Sequence, residues 1–225
     1  MNILYIPKKK IVLANSNYGL LYNFPAIIDT REIAPVGWHT PFFYDDWRVL
    51  GNFVSNNTWN NPGGYLKETG YTHWNSPNTG ASNAFGFNGV GSGFRTGSGQ
   101  DFFGLKDSGY YWQADQTGNW KYGIQVLSNL NAYLSGSNSA NMPLYGCALR
   151  FVKDDDVESP SKTVTGNDGK VYRTVTIGTQ VWMAENSQET KYRNGDAIPE
   201  VTDKTAWIEL TTGALCAYNN DWNFV

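Results

Sequence analysis

The clearest pattern in the chain is a period of two. Tyr110, Trp112 and Ala114 alternate with Tyr111, Gln113 and Asp115, and Trp120, Tyr122, Ile124 and Val126 repeat the pattern. Tyr145, Cys147, Leu149 and Phe151 form a third run. Alternation puts successive side chains on opposite faces of a strand. Three strands of an antiparallel sheet are therefore predicted, with Trp112, Tyr122, Leu149 and Phe151 inside. Residues 170–184 alternate again, with Val171, Arg173, Val175 and Ile177 on one face. Gly178-Thr179 reads as a hairpin tip from which Gln180 to Ala184 return. Short strands are also predicted at 2–6 and 11–14. Helical spacing is clear once, in Phe42, Phe43, Trp47, Leu50, Phe53 and Val54. Thr40 is its candidate N-cap and Pro41 falls in the first turn, where a missing N–H costs little. Asp45 and Asp46 come early in that helix, where its dipole favours negative charge. From Asn56 to Phe103 Gly, Asn, Ser and Thr dominate, and Thr72 to Gly80 is expected to be irregular. The elements together predict an α+β chain.

Composition narrows the class. Charged residues are 16% of the 225 and aromatics 15%, with 24 Gly and 24 Asn. This excludes a disordered chain and a coiled coil. The formal charge is −3 and the one basic run is Lys8-Lys9-Lys10, so no nucleic-acid partner is expected. No run approaches the roughly 18 apolar residues of a spanning helix, so no membrane insertion is expected. The charges near the start follow the apolar residues, the reverse of a signal peptide, so the chain is expected to carry no export signal of its own. Cys147 and Cys216 permit one disulfide or two buried thiols.

Catalytic chemistry is hard to find. His39 and His73 are the two histidines, and neither sits in zinc-ligand spacing. Gly89-Val90-Gly91-Ser92-Gly93 lacks the lysine of a phosphate loop. Asp45 and Asp46 are adjacent on a helix and so do not face each other. Asn219, Asn220 and Asp221 offer too few carboxylates for calcium. No enzyme activity, metal or cofactor is expected. What remains is a surface. Between Ser108 and Leu149 the charged residues are Asp115 and Lys121, amid Tyr, Trp, Asn, Gln, Ser and Gly. Aromatics give contact area at low entropy cost, and amides adapt their hydrogen bonds. The candidate ligand-binding residues are Gln113, Asp115, Asn119, Trp120, Asn129, Asn131, Tyr133, Asn138 and Asn141.

A series of motifs resembles the Fibrobacter succinogenes major paralogous domain family. They include Tyr18-Gly19-Leu20-Leu21-Tyr22-Asn23, Pro35-Val36-Gly37-Trp38-His39-Thr40-Pro41 with Trp47, Leu66-Lys67-Glu68-Thr69-Gly70, His73 to Gly80, Gly91-Ser92-Gly93-Phe94-Arg95, Tyr111-Trp112 and Leu149-Arg150-Phe151-Val152-Lys153-Asp154. Resemblance implies a C-type-lectin-like fold: small twisted antiparallel sheets, one or two helices and long loops. Ala34 and Phe151 stand where many members have Cys, which implies that a disulfide has been dispensed with. Residues 163–221 resemble the front of the same family, here placed last. The organisation expected is therefore N-terminal strands in 1–16, the lectin-like domain in 17–154, a linker in 155–161, and a permuted front segment in 162–225. That segment is expected to pair beside 145–153, which would otherwise be an exposed apolar edge, in its own chain or in a neighbour.

The expected function is a non-catalytic binding or adhesion module that recognises a cell-surface glycan or protein. The expected setting is a virion (a phage tail or fibre) or another extracellular assembly, with a homo-oligomer or larger assembly as its form. The alternative is a structural subunit that polymerises head to tail by exchanging its C-terminal segment.

Overall fold

Among the described residues, two of the three sheets join early strands to late ones. The computed structural model describes residues 18–97, 101–115, 123–138, 142–155 and 162–225. The strands predicted at 2–6 and 11–14 lie outside these, as do Asn119, Trp120, Tyr122, Asn141 and most of the 155–161 linker. β1 (Leu21–Tyr22) opens the described chain and α1 (Phe24–Ile27) follows. Asn23 caps α1 by accepting from the Ala26 N–H, and a proline sits in the first turn. β2 (Trp38–His39) comes next.

The predicted helix begins later than its sequence signals. Phe43–Trp47 form a π-helical stretch that runs into α2 (Arg48–Val54). Thr40 is not the cap and Pro41 lies outside. Instead the Asp46 carboxylate accepts the Phe42 N–H at 2.7 Å. A π turn carries more residues than an α turn, so it rotates the phase of the helix beyond it. Trp47, Leu50 and Val54 are buried, whereas Phe42 and Phe53 face out. α3 (Pro62–Leu66) lies in the Gly- and Asn-rich passage, where no helix is predicted.

β3 (Ser92–Arg95), β4 (Phe102–Leu105), β5 (Ser108–Trp112), β6 (Gly123–Ser128) and β7 (Ser135–Asn138) form a five-stranded sheet in the order β4-β3-β5-β6-β7. It is antiparallel except for β3 with β5. β8 (Val152–Lys153), β9 (Thr163–Thr165), β10 (Val171–Ile177) and β11 (Gln180–Met183) join β2 in the order β2-β8-β11-β10-β9. α4 (Lys204–Ile208), capped by Asp203, and β12 (Leu215–Cys216), paired with β1, complete the chain. With mixed sheets and few short helices, the class is α+β.

The segment from 162 onward is seated in its own chain. β10 and β11 form the predicted hairpin, closed at Ile177 opposite Gln180. Trp182 pairs with Val152, Met183 N–H donates to Phe151 C=O, and Ser187 N–H donates to Leu149 C=O. The stretch from Cys147 to Val152 runs between two cores. Cys147, Leu149 and Phe151 enter one cluster with Trp112 and Tyr172, while Ala148 and Val152 enter another with Trp47, Trp74 and Trp182. Both cysteines are buried free thiols.

Buried cations hold the long loops. Lys67 donates to the carbonyls of Thr79, Ser128 and Asn131 at 2.9, 2.6 and 2.8 Å. Burial pulls its pKa down to about 8. Arg95 reaches the carbonyls of Val201 and Thr202 and lies over the Trp207 ring, which ties β3 to the late segment. Arg150 reaches the carbonyls of Phe87 and Asn88 and the Asn186 side chain. A buried carbonyl left without a donor is costly, and irregular loops have few neighbouring N–H groups to offer. One cation with several donors answers that need.

The asparagines serve the same loops. Eight of the eleven non-glycine residues with positive φ among the described residues are Asn: 56, 57, 61, 78, 83, 88, 219 and 220. Asn tolerates the left-handed region better than other side-chain-bearing residues do. Much of the Asn content is therefore backbone geometry rather than ligand-binding surface.

Candidate functional site

Two outward-facing features border the cores. The first is an aromatic face around α2 and α3. Phe53 is 48% exposed and Tyr65 39%, and both rings meet the half-buried Phe85, at centroid distances of 5.6 and 6.2 Å. Within α2 the helical period sets Phe53 off the buried Trp47, Leu50 and Val54 face, and the Gly178 hairpin tip lies against its ring, where a Cβ would come within 2.8 Å. Trp59 folds over Gly51 and donates from its indole to the Asn52 side chain. Asn83, Gly86 and Asn88 flank Phe85 in sequence and line a shallow cavity of about 280 Å³ with Arg173, Thr174 and Val175. Arg173 pairs with Glu185, so little net charge is presented. Asn83 Nδ2 donates to Asn88 Oδ1, and Asn83 Oδ1 accepts from the Asn88 backbone N–H.

The second feature is a groove of about 390 Å³ between the loop after α1 and the start of β2. Ile27, Ile33, Ala34 and Trp38 form its apolar floor, with Phe42 at the side. His39 Nδ1 lies 2.7 Å from Asp154 Oδ1, and Nε2 lies 3.2 Å from Asp46 Oδ2. Burial pulls the His39 pKa down, but hydrogen bonds to the two carboxylates outweigh it and hold the pKa above its ordinary value. Arg193 crosses from the late segment to the carbonyls of Ala34, Pro35 and Trp38 and pairs with Glu32. Among the described residues no cluster of three or more His, Cys, Asp or Glu could hold a metal ion, and no helix is long and apolar enough to cross a membrane.

The residues singled out from sequence do not converge. Gln113 is fully buried, with its side-chain oxygen accepting from Gln125 at 2.9 Å, so the expectation of a surface residue is corrected. Alternation assigns it outward, but the end of β5 is covered on both faces. Asn129 is also buried; its backbone C=O accepts from the Thr79 N–H, which makes it part of the loop packing. Asn131 gives its carbonyl to Lys67 and its side-chain oxygen to the Tyr133 N–H. Tyr133 is exposed nearby. Asp115 accepts from Phe43 N–H at 2.9 Å, beside the groove, and burial pushes its pKa up. Asn138 occupies the end of β7 opposite Gly123. Asn119, Trp120 and Asn141 lie outside the described residues. Sequence reasoning misses Phe53, Tyr65 and Phe85. Phe53 is absorbed into the helical spacing of 42–54, while Tyr65 and Phe85 are single aromatic residues among Asn and Gly with no period around them.

The family model described as the Fibrobacter succinogenes major domain matches residues 6–153 and so ends before β9. No curated protein matches the chain, and no solved structure does. With that match spanning well over half of its length, the chain belongs to the Fibrobacter succinogenes major domain family.

Proposed function

We propose that the chain is a non-catalytic recognition and adhesion module that binds an uncharged glycan at the aromatic face. The observation that carries this reading is the run of touching rings, Phe53 to Phe85 to Tyr65, set beside side-chain amides on a nearly neutral surface. Sugar rings present C–H faces that pack on aromatic rings, and their hydroxyls exchange hydrogen bonds with amides. Phe85 is anchored on the core of Trp47, Trp74 and Trp182, while Phe53 and Tyr65 expose apolar area beside it that a ligand can cover. The reading includes the C-type-lectin-like kinship that the family resemblance implies. Its setting is a virion, such as a phage tail or fibre, or another extracellular assembly, where repeated copies of a weak site raise avidity.

The test is a glycan array probed with the full chain, as it purifies and as an artificial multimer. Binding of neutral glycans that is lost in Phe53→Ala and Tyr65→Ala, with melting temperature retained, is the expected result. Absence of binding in every oligomeric form, or undiminished binding by both variants, sinks the reading.

A further inference from the structure

The groove beside His39 shares no lining residue with the aromatic face and has a different chemistry. Five carboxylates line or adjoin it: Asp29, Glu32, Asp46, Asp115 and Asp154. Asp29, Glu32 and Asp154 line the groove itself, where Arg193 is the one lining guanidinium, and Arg31 beyond the lining pairs with Asp29 and Asp196, so carboxylates outnumber guanidinium groups in the lining by three to one. The cations are committed. Arg193 spends its Nε and one terminal nitrogen on three backbone carbonyls, and Arg31 is divided between Asp29 and Asp196. Acceptors are left over: Asp154 Oδ2 receives no hydrogen bond from the described residues, and the Glu32 carboxylate meets Arg193 alone. The floor beneath is apolar.

We infer that this groove receives a long basic side chain, lysine or arginine, from a partner protein. The aliphatic stem lies along Ile27, Ile33 and Ala34 beside Phe42, and the charged head reaches the carboxylates of Glu32 and Asp154. Basic side chains have this division, an apolar stem and a solvated head, and Phe42 adds an aromatic face for the cation. An anionic ligand would meet the excess negative charge.

The test is an NMR titration of the 15N-labelled full chain with Nα-acetyl-lysine methylamide, its arginine counterpart, the Nζ-acetylated lysine compound and glucosamine. Saturable shifts confined to residues 27–42, 114, 154 and 193 are expected for the lysine or arginine probe. One side chain should bind with a dissociation constant of roughly millimolar order. Affinity should fall about fivefold in Glu32→Gln and in Asp154→Asn, and should fall again at high salt. Glu32 is an exposed position, so its variant keeps the test valid if the Asp154 variant is unstable. Equal binding of the acetylated probe overturns the inference, as does the absence of groove shifts with either basic probe. Tighter binding of glucosamine at the same amides overturns the assignment to a protein partner.

Discussion

The Lys67 cluster and the His39 groove are made of similar groups and end up with opposite properties. Around Lys67 three donors meet three carbonyls, the site is closed, and nothing is left for a ligand. Around His39 the carboxylates exceed the available donors, and the site opens on an apolar floor. A charged residue in this fold therefore says little by its type alone. Its role depends on how many of its hydrogen-bonding positions the protein itself uses.

The most severe challenge to this contrast is Lys67→Met. It keeps the stem but strands three loop carbonyls, and it should cost about 3–5 kcal/mol, read as a drop in the urea midpoint. A cost near zero would mean that the cluster is not holding the loops. A middle-sized effect is expected at Glu189, which is buried and accepts from the Asn167 and Asp168 N–H groups. Burial, with help from the nearby Asp168 charge, pushes its pKa to about 7. In the window between the ordinary carboxyl value of 4.5 and about 7, the folded protein keeps a proton that the unfolded chain releases. Stability due to this group is thus present below that window and lost as pH rises through it. The raised pKa of His39 acts in the same direction, being lost as pH rises above the ordinary histidine value. Glu189→Gln should remove about 2 kcal/mol of stability change between pH 5 and 8, and an unaltered pH profile would refute the assignment. The smallest effect belongs to the open groove. Glu32→Gln should change stability by no more than about 0.5 kcal/mol, because an exposed ion pair contributes little. A large loss there would erase the distinction between closed and open clusters.

Some of the molecule is legible in sequence for clear reasons. The hairpin of 171–183 is marked by β-branched alternation and a Gly at its tip, where the backbone adopts φ +64°. The run from Cys147 to Phe151 is marked as buried because one of its faces is uniformly apolar, but it is not the third antiparallel strand its alternation predicts: Gly146, Cys147 and Ala148 make isolated bridges, that of Ala148 to Tyr111 parallel, and the strand itself is Val152–Lys153. Gln113 shows the limit. Period two distinguishes faces but not whether both are covered, and here Gln125 on the neighbouring strand provides a buried partner. The π stretch at Phe43–Trp47 has no recognised sequence mark, so the shift of Phe42 and Phe43 out of phase with the buried Trp47, Leu50 and Val54 was not legible in the spacing. The aromatic face joins residues of separate segments on no shared period, and the groove, though lined mostly by 27–42, is completed by Ala114, Asp154 and Arg193 from distant parts of the chain.

Residue order alone was enough for the α+β class, the family, the aromatic cores along alternating runs and the late hairpin itself, because local periodicity and motif spacing carry those. Packing in three dimensions settled which charges are used up inside and which remain for a partner. That outcome depends on which loop carbonyls arrive beside each side chain, and loops converge through the packing of distant elements rather than through any pattern along the chain.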